Sequence, residues 1–331
     1  MTTFLKPLLR PFSLLLAVLA LAGTPLFAQD AYPSRPITLI IPLSAGSQMD
    51  VLGRALADGM GKLSAHPVVI LNRDGAGMVI GMDAVAKARP DGYTIGFGPE
   101  SPLTLAPHLI ASLPYKVDEF ELLCRTNVAN MAVVTGPQSP FKSFEDMIAA
   151  ARRDPGKVSY GTAGIGTPPH LLMEAVAIEK GIKLNHVPFR VISDMAVQTM
   201  NGSVDFTVTV PNTLAVNGPR GMRGLALTGS SSMAELPTVP LIRDILGKDS
   251  SVANYGVGGL GMYAPKGLRP ETLNWLRTAC KAATESVGFT TASSRTFTPV
   301  GYADGAEFLR AMRENSRVSG DVVRKLDMKP Q

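Results

Sequence analysis

The chain has 331 residues, 45% hydrophobic and 18% charged, with 32 Lys+Arg against 27 Asp+Glu. That length and balance suit two domains with real cores and exclude a disordered or fibrous chain. The basic residues form clusters no longer than pairs such as Arg152-Arg153 and Arg324-Lys325, which argues against nucleic acid as a partner.

The first 28 residues stand apart from the rest. Lys6 and Arg10 make a basic start, Phe12 to Leu21 a short apolar core, and Pro25-Leu-Phe-Ala28 a cleavage site. This is the pattern of a secretory signal peptide cut near Ala28, because the apolar core is too short to span a membrane. No cysteine precedes Cys124, so the leader carries no lipid-attachment cysteine, and a free exported protein is expected.

Thr38-Leu-Ile-Ile41 then reads as a buried strand and Ser44-Ala-Gly46 as a tight loop. Ser47, with Asp50 three residues on, has the capping-box pattern that opens a helix. A strand turning through small residues into a helix leaves backbone N–H groups at the positive end of a dipole, which makes an anion cradle. Pro67 to Leu71 is a second strand, Asn72 to Gly77 a turn-rich loop, Ile80 to Ala88 a helix, and Tyr93 to Phe97 a third strand. The alternation predicts a parallel sheet covered on both faces. Gly98 to Pro102, with Glu100 in it, forms a loop at the carboxyl end of a strand, where ligands collect in such sheets.

A second alternating set follows. It has a strand at Met131 to Val134, a helix capped by Ser143, and a strand at Val158 to Tyr160. The glycine-rich loop Gly161-Thr-Ala-Gly-Ile-Gly166 leads to a helix capped by Thr167, with Pro168 in its first turn and Gly181 at its end. A strand at Lys183 to Val187, a helix at Ser193 to Met200 and a strand at Val204 to Val210 complete the set. Gly224 to Thr228 is expected to lead back to the first sheet. The last third supplies a strand at Tyr255 to Ala264 and helices at Glu271 to Val287 and Ala303 to Leu326. Cys280 continues the Leu273, Leu276, Ala283, Val287 face of its helix and reads as a packed core residue, with a bridge to Cys124 as the alternative.

Taken in order, several segments resemble the substrate-binding receptors of tripartite tricarboxylate transporters, the Bug receptors. They are Tyr32-Pro-Ser-Arg-Pro36, Pro42 to Asp50, Val68 to Gly77, Asp83-Ala-Val-Ala-Lys-Ala88 and Pro90-Asp-Gly-Tyr-Thr94. Leu113-Pro-Tyr115, Pro155-Gly-Lys157, Tyr160 to Thr167 with His170-Leu171, His186 to Arg190, Asn201 to Asp205 and Leu236 to Pro240 continue the series. The resemblance covers essentially the whole mature chain. It implies a two-domain α/β Venus-flytrap receptor, each domain a mostly parallel sheet flanked by helices. The domains would be residues 29–124 with 229–331, and 125–228, with hinges near 124–128 and 225–230.

The resemblance further implies a periplasmic monomer without catalytic activity, cofactor or metal. Such a receptor captures a small organic carboxylate and delivers it to membrane permease subunits. Carried over by position, the ligand contacts are Ser44, Ala45, Gly46, Ser47, Gln48 and Asp50 in the first loop. In the second half they are Thr162, Gly164, Gly166, Thr167 and His170. Asp205 is added to the expected site, and so is Arg190, whose planar fork can pair a second ligand carboxylate or sit solvated on the rim. The chain departs from the family pattern at Ser47, Met49, Phe189-Arg190-Val191 and Thr209, and it places an acid, Glu100, on a loop expected to face the cleft. Glu100 therefore favours a ligand with a donor or positive charge beside its carboxylate.

Two other functions are weighed. A receptor of this kind can report to a membrane sensor instead of a permease. An exported serine hydrolase could use Ser47 or Ser139, but the chain has no Gly-x-Ser-x-Gly elbow. Gly256 to Gly261 matches a dinucleotide fingerprint in letters only, because Met262-Tyr-Ala-Pro265 continues as strand where the motif requires a helix. His66, His108, His170 and His186 show no metal-ligand spacing.

Overall fold

Eleven strands are assigned among the described residues: β1 (Ile37–Ile41), β2 (Val68–Asn72), β3 (Thr94–Pro99), β4 (Phe120–Ala129), β5 (Ala132–Thr135), β6 (Ser159–Thr162), β7 (Asn185–Pro188), β8 (Phe206–Thr209), β9 (Arg223–Leu227), β10 (Gly258–Pro265) and β11 (Val300–Asp304). The computed structural model describes residues 32–330 except 190, 191, 230, 231, 234, 248, 251, 254, 256 and 257. The signal-peptide reading and Arg190 fall outside that set.

The strands form two sheets, ordered β11-β4-β10-β3-β1-β2 and β7-β6-β8-β5-β9. Each contains one parallel trio with its first strand in the middle. β1 lies between β2 and β3, and β6 lies between β7 and β8. A trio wound this way reverses direction at its central strand, and the loops leaving the carboxyl ends of the strands part there to open a crevice. The two halves therefore repeat one topology without repeating a sequence.

Neither sheet is mostly parallel, contrary to the sequence expectation. β10 runs antiparallel to β3 and to β4, and β5 runs antiparallel to β8 and to β9. A parallel neighbour requires a crossover over the sheet face, usually a helix, whereas β5 and β10 each begin where the chain arrives from the other sheet. Arg223–Leu227, expected to return to the first sheet, is the edge strand of the second. The chain passes between sheets at Ala129–Ala132 and again after Leu227. These two passages are tied together: the Met131 amide donates to Thr228 Oγ1 at 2.7 Å, and the Thr228 amide donates to the Met131 carbonyl at 2.9 Å.

The helices form where caps and apolar spacing agree. Ser143 and Asp146 make the full reciprocal box that opens Phe144–Arg153, and its buried face carries Phe144, Met147, Ile148 and Ala151. The helix Pro168–Lys180 ends at Gly181, whose φ of 61° is the left-handed value a glycine adopts without a Cβ clash. Its other end differs from the expectation. Thr167 makes no side-chain cap, and its hydroxyl donates to the Gly164 carbonyl at 2.7 Å. Pro169 removes the second helical N–H from the candidates, and the Thr167 side chain is turned towards the loop instead of the remaining His170 amide. The C-terminal helix Gly305–Lys325 is long enough to serve both halves. Phe308 and Met312 pack in the core of the first sheet with Tyr263 and Leu122, while Val318, Val322 and Val323 pack in the core of the second with Leu171 and Tyr160.

Cys124 and Cys280, read from sequence as a free packed pair, are joined as a disulfide with Cα atoms 6.6 Å apart. Both are fully buried. Being good core residues did not prevent bonding, because β4 and the helix Pro270–Thr284 bring their two apolar faces together at that point.

Candidate functional site

The first loop satisfies most of its own hydrogen bonds. Ser47 caps the helix Gln48–Gly61 by accepting the Asp50 amide at 3.2 Å. The Asp50 carboxylate accepts from the Gly46 amide at 2.9 Å, from Arg54 Nε at 2.9 Å and from Asn72 Nδ2 at 3.0 Å. Burial pushes the Asp50 pKa up, but these hydrogen bonds outweigh it and hold the group ionised below the usual carboxylate range. The Ser44 hydroxyl donates to Asp74, Ala45 is exposed, and Gln48 Nε2 donates to Thr298 Oγ1 at 2.6 Å.

The glycine loop of the second half is similarly turned on itself. The Gly164 amide donates to Thr162 Oγ1 at 3.4 Å, and the Gly166 amide donates to His170 Nδ1 at 3.1 Å. Gly166 has φ 74°, a backbone conformation that favours glycine. Beneath the loop, His170 and His186 lie ring to ring at 4.1 Å, and Thr162 Oγ1 meets His186 Nε2 at 2.7 Å. Burial and the neighbouring His170 push the His186 pKa down to about 4, which leaves a neutral pair at pH 7. Asp205 holds two strands together, its Oδ2 accepting from the Ser159 amide at 2.8 Å and the Ser159 hydroxyl at 2.6 Å.

A cavity of about 250 Å³ opens between the two sheets. Three loops at carboxyl ends of strands line it. Pro99 ends β3 and Glu100 and Ser101 follow it, Ala163, Pro168 and Pro169 follow β6, and Thr209 ends β8 with Val210 after it. Asn130 and Met131 of the first passage form another wall, and Asn315 and Ser319 of the C-terminal helix a third. Of the residues expected at the site, Glu100 lines this cavity. Ser44, Ala45, Gly46, Ser47, Gln48, Asp50, Thr162, Gly164, Gly166, Thr167, His170 and Asp205 stand outside its lining, and Arg190 lies outside the described residues.

Glu100 is only 5% exposed. Asn315 Nδ2 donates to its Oε1, and its own amide donates to the Gly259 carbonyl at 3.0 Å. Burial pushes its carboxyl up to about 7, against the opposing pull of the Asn315 hydrogen bond and of Arg125. Asn130 is buried, and its Oδ1 has no hydrogen-bond partner among the described residues. Sequence reasoning overlooked Asn130, Met195, Tyr255, Asn315 and Ser319. One signal was available: Asn315 and Ser319 sit four apart, continuing the Phe308–Met312 face, which places polar groups in an otherwise apolar stripe.

Residues 52–328 match the sequence profile of the tripartite tricarboxylate transporter family receptor. The chain belongs to that family. The receptor is 33% identical over 261 residues to protein BugT of Bordetella pertussis, covering 78% of each chain. A solved TctC solute-binding protein from Polaromonas shares 26% identity and superposes with a TM-score of 0.79, over 89% of the receptor and 99% of that chain. An R. palustris protein solved with adipate has the same fold, with a TM-score of 0.70 at 24% identity over 91% of the receptor and all of that chain. The family is one of solute-binding receptors, not of enzymes. The two serines weighed as nucleophiles have backbone roles, since Ser47 accepts the Asp50 amide and Ser139 accepts the Phe141 amide at 3.2 Å.

Proposed function

We propose that the receptor captures a small organic acid in the periplasm and presents it to a membrane permease of the tripartite tricarboxylate type. The observation that carries this reading is the cavity between the sheets, built from the loops that bind ligands in doubly wound folds. Its volume suits a molecule of several carbons, and adipate in the R. palustris protein is a ligand of that size on the same fold. Ser101, Thr209, Tyr255 and Ser319 line the walls. Tyr255 is bonded to Ser319 at 3.1 Å and Thr209 to Thr213 at 3.0 Å. The Ser101 hydroxyl and one proton of the Tyr255–Ser319 pair are therefore the side-chain O–H donors for a carboxylate, whose charge strengthens such a bond. In this reading the hinge is formed by the passages at Met131 and Thr228; the first lies beyond the expected 124–128, because β4 stays paired in the first sheet to Ala129.

Uptake tests the delivery step. Membrane vesicles from cells that make the permease should accumulate a labelled acid only when the mature receptor is added. Accumulation at the same rate without the receptor would contradict the proposal.

A further inference from the structure

The cavity wall in the second half lacks donors that a helix start usually provides. The helix that begins there opens with Pro168 and Pro169, so its first two positions offer pyrrolidine rings and no N–H. The amides of Gly164 and Gly166 in the preceding loop are already bonded to Thr162 and His170. Ala163, Met195 and Val208 continue the apolar surface on this side. Elsewhere the lining offers acceptors: the Glu100 carboxyl, and Asn130 Oδ1 without a partner among the described residues. No Lys or Arg among the described residues lines the cavity. A buried acceptor with no donor costs stability that a ligand donor restores, and a second carboxylate set against Glu100 would face like charge.

We propose that Glu100 reads a hydrogen-bond donor on the ligand, so that the receptor selects an acid with one carboxylate and an apolar body ending in an ammonium, amide or hydroxyl group, in place of a dicarboxylate. The inference rests on the organic-acid reading above and names the class within it. Asn315 holds Glu100 Oε1 and orients the carboxyl. Arg125, Tyr255 and Tyr263 are the other titratable groups that act on it, and Arg125 Nε is itself bonded to the Gly301 carbonyl at 2.8 Å. With the carboxyl near 7, preference for a donor should weaken as the pH falls through that value, because a protonated Glu100 can donate.

A six-carbon series with one end varied tests this by calorimetry on the mature receptor: adipate, its monoamide, 6-aminohexanoate, hexanoate and hexylamine. The monoamide or 6-aminohexanoate should bind roughly tenfold or more tightly than adipate, since a hydrogen bond to a charged group is worth about that factor. Glu100→Gln keeps an oxygen for Asn315 and puts an amide donor in place of the second oxygen, so the order should reverse in favour of adipate. Glu100→Asp should retain the original order at lower affinity. Equal or tighter adipate binding by the unaltered receptor, with no change in Glu100→Gln, would overturn the inference and leave the organic-acid reading standing. Tight hexylamine binding, lost in Glu100→Gln and with no affinity for any of the acids, would support the role of Glu100 and overturn the organic-acid reading. Absence of binding across the series would overturn both.

Discussion

Replacing Cys124 and Cys280 together by alanine should destabilise the receptor by about 2–5 kcal/mol. In a chain of this size that is a fall in melting temperature of roughly 3–8 °C. The bridge spans 156 positions of sequence, and cross-linking so long a loop removes much conformational freedom from the unfolded chain. It also fastens β4 to the helix Pro270–Thr284, which in turn packs closely on the first helix. There, a Cβ added at Gly59 would stand 2.9 Å from that of Ala283. Alanine fits both fully buried positions, so the loss reports the bond with little added desolvation. Calorimetric melting of the oxidised protein and the double variant reads the difference. Identical melting temperatures would show that the bridge adds no stability.

The second large effect is electrostatic. Burial raises Glu100 from an ordinary 4.5 to about 7, so the folded state holds that proton more tightly than the unfolded chain does. The stability this proton contributes is complete below the unfolded value and is lost as pH rises through 7. A shift of that size corresponds to a loss of about 3 kcal/mol by pH 8. Glu100→Gln cannot ionise, keeps the volume and retains an acceptor for Asn315. It should therefore melt at a higher temperature than the unaltered receptor at pH 8, with a difference that shrinks towards pH 4.5. His170 and His186 act in the opposite sense. Their pKa values are lowered by burial, so their stability is lost as pH falls below the ordinary histidine value, and since both proteins contain them they cancel from the comparison. A difference independent of pH would place Glu100 in a wetter site than the cavity wall.

The sequence made the parallel trios legible because each strand is a short apolar run closed by turn residues, as in Thr38–Ile41 and Tyr93–Phe97. β4 was hidden. Its residues Glu121, Arg125 and Asn127 look like loop, yet each has a distant partner: Arg277 for Glu121, the Gly301 carbonyl for Arg125, and Ser293 with the Thr298 carbonyl for Asn127. No local pattern carries pairings 150 residues apart. β11 was merged into the following helix for a related reason, since Asp304 both ends the strand and caps Gly305–Lys325 by accepting the Ala306 and Glu307 amides. In the site, Glu100 was visible as an acid after a strand end. Asn130, Tyr255 and Asn315 come from three separate stretches that meet only in the folded chain. The capping pattern at Thr167 misled because its hydroxyl turns back to the Gly164 carbonyl of its own loop, a contact the local pattern does not carry.

The most direct measurement of the central claim is thermal unfolding of the mature receptor with a panel of small organic acids and their methyl esters. An acid at 100 times its dissociation constant should stabilise the protein by about 2.7 kcal/mol if it binds only the folded state. At least one acid should give such a shift, and esterifying its carboxylate should abolish it. An equal shift with the ester, or shifts only with compounds that have no carboxylate, would contradict the central claim.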